Sequence, residues 1–123
     1  MPRKSNLERL AHMRDAANEA VSFIANLSYE EFVSDRIRQY AVIRAIEIIG
    51  EAGANVTQDY RAAHPDIPWQ AIIGMRNHLI HAYFDINISL TWQTVMEDLP
   101  PFIVKLDDLL KEEGSYQFRL PET

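Results

Sequence analysis

A chain of 123 residues and 14.2 kDa can bury one ordinary core but not two, so residues 1–123 are expected to form a single domain. At 47% hydrophobic and 24% charged residues the composition is that of a soluble globular protein, and no apolar run is long enough to span a membrane. The formal charge of −6 and pI near 5.1 exclude sequence-independent adhesion to nucleic acid through a broad basic surface, yet leave room for a compact cationic site that grips a phosphate.

The absence of cysteine excludes a disulfide framework and a thiolate metal site. The start, Met1-Pro2-Arg3-Lys4-Ser5-Asn6, lacks the apolar core of a secretory signal, so a cytoplasmic protein is expected. From Ser5 or Asn6 a first helix is predicted, with Leu7, Leu10, Met13 or Arg14, Ala17, Ala20 or Val21, Ile24 and Leu27 recurring at helical spacing. Ser28 then opens a short helical turn, Tyr29 to Val33, with Glu31 in the position of a capping box.

A long helix follows from Ser34 or Asp35 to about Thr57, its apolar side formed by Ile37, Ala41, Ala45, Ile48, Ile49, Ala52 and Val56. On its other flank Tyr40, Arg44, Glu47 and Glu51 fall at i, i+4, i+7 and i+11 in one polar stripe. Taken alone, such a stripe reads first as a solvated face with helix-stabilising ion pairs, and a need for carboxylates elsewhere in the chain would make it a site. Gln58 to Pro68 reads as a proline-rich connection, and a further helix is expected from Trp69 to about Phe84. Ser89 is placed to cap the last helix, which should kink or break at Pro100-Pro101 and give way to an irregular tail at 114–123. With no credible strand alternation, the fold class is all-α: four main helices in an up-down bundle.

The helix from Trp69 contains a conflict. Advanced by about 100° per residue, Trp69, Ile72, Ile73, Met75, Leu79 and Ile80 gather on one side, and Arg76 projects from the middle of it. A guanidinium cannot shed its charge to escape burial, so it needs a carboxylate, a partner chain, a watery cleft or a phosphate. Glu47 and Glu51 are the best-placed carboxylates. Five residues after Arg76 stands His81, and histidine titrates near the pH of the cell. An arginine that holds a phosphate and a histidine that moves a proton are the two tools a metal-free ribonuclease needs, since the 2′-hydroxyl of RNA supplies the nucleophile.

Arg76, four residues, His81, one residue, Tyr83 is also the motif of the HEPN superfamily of small helical RNases, and in this form the chain resembles the HepT-like toxins. The segment Arg44-Ala45-Ile46-Glu47-Ile48-Ile49-Gly50-Glu51-Ala52, the lead-in Ile67-Pro68-Trp69 and the approach Gly74-Met75-Arg76-Asn77 extend the likeness over most of the chain. The resemblance implies an all-α homodimer that cleaves RNA without metal or other cofactor. It also implies neutralisation by a nucleotidyltransferase antitoxin of the MntA type, which transfers AMP from ATP to the motif tyrosine, here Tyr83, in a dimer or a higher hetero-oligomer. Arg76 would contact phosphate, His81 would be the general acid/base, and Asn77 would orient substrate or support His81. Glu47 and Glu51, with Arg44 and Tyr40 beside them on the stripe, would fix or neutralise Arg76.

In a straight helix Arg76 and His81 differ by about 140°, and His81 and Tyr83 by about 160°. The three side chains cannot converge unless the helix loosens near His81 or two protomers share the site, and a two-fold dimer is expected on that ground. His78 is expected to be solvated and His64 to lie in a loop. Two other readings compete: a metal-binding bundle using Glu47, Glu51, His78 and His81, disfavoured by the charge of Arg76, and a catalytically silent module that binds a nucleotidyltransferase.

Overall fold

The computed structural model describes the backbone of residues 2–82 and 85–122, and side chains within 6–82 and 85–112. Three long helices carry the bundle: α1 (Pro2–Ile24), α3 (Arg36–Ala54) and α8 (Leu99–Glu122). Between α1 and α3 lies the short α2 (Tyr29–Val33). Its capping box is complete, with the Ser28 side chain accepting from Glu31 N and a Glu31 carboxylate oxygen accepting from Ser28 N at 2.8 Å. Asp35 caps α3 through a bond from Arg38 N. The core is built where these helices face one another, from Leu10, Met13 and Ile24 of α1, Val42, Ile46 and Ile49 of α3, and Leu99, Phe102 and Leu106 of α8. Each such side chain contributes on the order of 1.5–3 kcal/mol by leaving water. Among the described residues no helix is long and apolar enough to cross a membrane.

Ala45, Ile49, Ala52 and Val56 of the expected apolar side of α3 are buried, and Ile37 is the exception. Val42, Ile43 and Ile46 are buried, whereas Ile37 is 81% exposed. The inward face includes the small residues Ala45, Gly50, Ala52 and Gly53, and at the two glycines Ile73 and Met13 come close. A Cβ on Gly50 would stand 3.1 Å from the Ile73 carbonyl oxygen.

After α3, the connection expected to be irregular holds a further short helix, α4 (Gln58–Ala63). Thr57 caps it and is itself clamped by buried Asn6, which donates to Thr57 Oγ1 and accepts from Thr57 N, both at 3.1 Å. His64 is structural: its ring stacks on Tyr60 at 4.1 Å between centroids, and its carbonyl accepts from Trp69 Nε1.

The helix expected from Trp69 to Phe84 is not continuous. It runs as α5 (Trp69–Ile73), turns at Gly74, resumes as α6 (Met75–Leu79), and passes at Ile80 into extended backbone, φ −121°, ψ 121°. Strand β1 (Ile80–Ala82) then pairs antiparallel with β2 (Asp85–Ile86), a hairpin that the sequence did not suggest. Residues 83 and 84, and so the predicted site residue Tyr83, lie outside the described residues.

Asn87, two residues before the expected Ser89, caps α7 (Ile88–Gln93) by accepting from Leu90 N. A π-helical turn, Thr94–Asp98, leads into α8. The helix does not break at Pro100-Pro101 as expected; the irregularity falls just before them, in the π-helical turn, and the chain runs on as α8. The backbone stays helical to Glu122, where an irregular tail was expected from 114.

Candidate active site

The break at Gly74 decides what Arg76 faces. A wheel drawn through Trp69 aims Arg76 at the core, but α6 starts anew, burying Leu79 and leaving Arg76, Asn77 and His78 exposed. The close approach of Ile73 to Gly50 brings the start of α6 beside α3, one turn from Glu47. There Arg76 Nε donates to Glu47 Oε2 at 2.9 Å, and Arg76 Nη1 donates more loosely to Asn77 Oδ1 at 3.4 Å. The counter-charge inferred from the sequence is therefore present, although the guanidinium needs it in a cleft rather than in the core. Side-chain exposure is 45% for Arg76 and 28% for Glu47, so the pair gains less than a buried one and stays open to competing anions.

Glu47 is shared. Its Oε1 accepts from Arg44 Nη1 at 3.4 Å, and the same nitrogen lies 3.9 Å from Glu51 Oε1. Tyr40 stands one turn earlier on the same face, 44% exposed, with the Arg36 guanidinium 5.0 Å from its ring centroid. Arg36 stands four residues before Tyr40, a spacing readable in the sequence that marks it as a missed neighbour of the stripe. Glu47, Gly50, Glu51, Ile73, Arg76 and Asn77 together line an open cleft of about 390 Å³.

His81 is placed by the end of the helix. Had α6 continued, its side chain would point away from Arg76; in β1 it is exposed, with no hydrogen bond to another described residue. Of the two ways out of the geometric conflict, a loosened helix is the one seen within the chain. No bond joins His81 to Arg76 among the described residues. Solvated His78 agrees with expectation. Glu47 and Glu51 meet arginines rather than histidines, and among the described residues no group of three His, Asp or Glu is arranged to hold a metal.

Comparison with known proteins gives this geometry a family. Residues 13–109 match the model of the ribonuclease HepT-like family. The chain is 39% identical over 109 residues to a Thermococcus cleftensis protein described as "Probable ribonuclease HepT", covering 89% of this chain and 99% of that one. It is 44% identical over 86 residues to a candidate RNase of Methanocaldococcus jannaschii, covering 70% of this chain and 79% of that one, and 34% identical over 104 residues to another from Caldanaerobacter subterraneus, at 85% and 93%. No solved structure matches the chain. An all-α HEPN-like bundle and a family match over most of its length make this chain a member of the HepT-like ribonuclease family.

Proposed function

We propose that the chain is a metal-independent endoribonuclease and the toxin of a cytoplasmic toxin–antitoxin pair. One observation carries the reading: Arg76 is held along its Nε edge by Glu47 while much of its guanidinium stays open to solvent, five residues before a histidine with no described partner. A guanidinium fixed on one edge presents its remaining donors as a fork for phosphate oxygens. Arg76 would hold the scissile phosphate and Asn77 would steady it.

His81 would take the proton of the 2′-hydroxyl. The 2′-oxygen attacks phosphorus, the bond to the 5′-oxygen breaks, and that oxygen leaves with a proton, giving a 2′,3′-cyclic phosphate and a 5′-hydroxyl. A single imidazole cannot be base and acid in the same step, so a homodimer in which a second copy supplies the other imidazole fits the chemistry better than a monomer. Cleavage of single-stranded RNA by the purified chain is expected to persist in excess EDTA and to leave cyclic phosphate ends. A 3′-hydroxyl product, or full loss with chelator, would refute this mechanism.

The same reading assigns Tyr83 as the residue that an MntA-type nucleotidyltransferase antitoxin modifies with AMP, in a complex of two or more chains. The support is the motif and the family. A nucleotide monophosphate there adds bulk and negative charge two residues from His81, repelling the phosphate to be cut. Incubated with that partner and ATP, the peptide containing Tyr83 should gain the mass of one or more AMP units, and Tyr83→Phe should gain none. Labelling that persists in Tyr83→Phe would move the modification elsewhere.

A further inference from the structure

Beyond the cleft, the outer face of α3 carries groups that the proposed chemistry at Arg76 and His81 does not require. Arg36, Tyr40, Arg44 and Glu47 stand at i, i+4, i+8 and i+11, within about 80° of one another around the helix. The face thus begins beside Arg76 and runs toward the start of α3 as cation, aromatic ring, cation. Arg44 has a side-chain exposure of 61%, and Tyr40 is 44% exposed with Arg36 on its ring at 5.0 Å. In a chain of net charge −6, Arg44 and Arg76 stand together against Glu47 and Glu51, while Arg36 also borders a cleft lined by Glu30, Glu31 and Asp35. Arg38, on the same helix, is turned away from it, bonded to Asp35 and to the Phe23 carbonyl.

We propose that this face of α3 is a track for single-stranded RNA, continuous with the scissile-phosphate position at Arg76. The inference rests on the ribonuclease reading for its starting point and extends it by naming where the flanking nucleotides lie. Arg44 and Arg76 hold opposite oxygens of the Glu47 carboxylate, at 3.4 and 2.9 Å. Two cations gripping one carboxylate are close enough to meet neighbouring phosphates of one strand. Arg44 takes the flanking phosphate, its contacts with Glu47 and Glu51 being long, at 3.4 and 3.9 Å, and its side chain 61% exposed. Tyr40 offers a flat ring to the next base, since base stacking on an aromatic is tolerant of sequence. Arg36 backs that ring from the side of its guanidinium.

The test is binding, measured apart from cleavage. A fluorescent single-stranded oligoribonucleotide, 2′-O-methylated so that it lacks the nucleophile, is titrated with the full chain at several salt concentrations. Arg44→Ala should weaken binding about tenfold and lower the slope of log affinity against log salt by about one. Tyr40→Ala should weaken it about tenfold with the slope unchanged, and Tyr40→Phe should bind as the parent does. Arg38→Ala removes the same charge off the track and should cost less than about twofold. Equal effects of Arg38→Ala and Arg44→Ala, or none from Tyr40→Ala, would overturn the track. So would a change of sedimenting mass in Arg44→Ala or Tyr40→Ala, which would assign the face to a second copy of the chain. The ribonuclease reading fails separately: a parent chain that binds RNA with these sensitivities yet never cuts unmodified RNA keeps the track and loses the enzyme.

Discussion

Replacing His81 with alanine is expected to slow RNA cleavage by about 10²–10⁴-fold, the usual worth of a positioned general acid/base, and to abolish growth inhibition when the chain is expressed alone. The variant should remain folded. His81 is exposed on a short strand and makes no hydrogen bond among the described residues, so its loss removes little packing and leaves no described polar group unsatisfied. Initial rates on a single-stranded substrate, with a melting curve beside them, separate chemistry from stability. His78→Ala is the control: exposed, three residues earlier on α6, it should cleave at the parental rate. A His81→Ala chain that still cuts RNA or still stops growth would remove the histidine from the mechanism.

What could be read from the sequence, and what could not, divides along local and non-local physics. The capping box of Ser28 and Glu31 and the Asp35 cap were legible because a few neighbouring residues determine them. So was the partner of Arg76, since an arginine amid apolar residues demands an anion and the stripe on the long helix offered Glu47. The direction of Arg76 was not legible. A helical wheel assumes one continuous helix, and Gly74 resets the phase between α5 and α6. Ile37 misled because spacing alone does not show where packing stops: it fits the stripe of Ala45, Ile49 and Ala52, which are buried, yet near the start of α3 it is 81% exposed.

The hairpin after Leu79 had the weakest signal. Strands of three and two residues cannot show alternation, and backbone pairing across Ile80 and Ile86, joined by the bond from Asn87 N to the Leu79 carbonyl, fixes them instead. Yet this is the feature that frees His81 from the helix. The spacing of Arg76 and His81 was readable as residue types, whereas the local structure that takes His81 out of the helix was not.

Arg76→Ala should lower the cleavage rate by about 10²–10³-fold, the scale on which a charge-stabilising donor contributes when it is aimed at the reacting group. The pair with Glu47 is half-exposed, so its loss should change stability by no more than about 1 kcal/mol, and the drop in rate will not report unfolding. Arg76→Lys is the sharper variant. Lysine keeps the charge but, as a compact ammonium, cannot give one edge to Glu47 and a planar fork to phosphate. It should therefore recover RNA binding more than rate. Glu47→Ala makes the converse change, leaving both guanidiniums but releasing their shared anchor. RNA should then bind more tightly, because a carboxylate beside the phosphate is gone, while turnover falls because Arg76 no longer holds its orientation. Equal losses in binding and rate for Arg76→Lys, or faster turnover in Glu47→Ala, would reduce Glu47 to a neutralising charge and leave the open edge of Arg76 without a catalytic meaning.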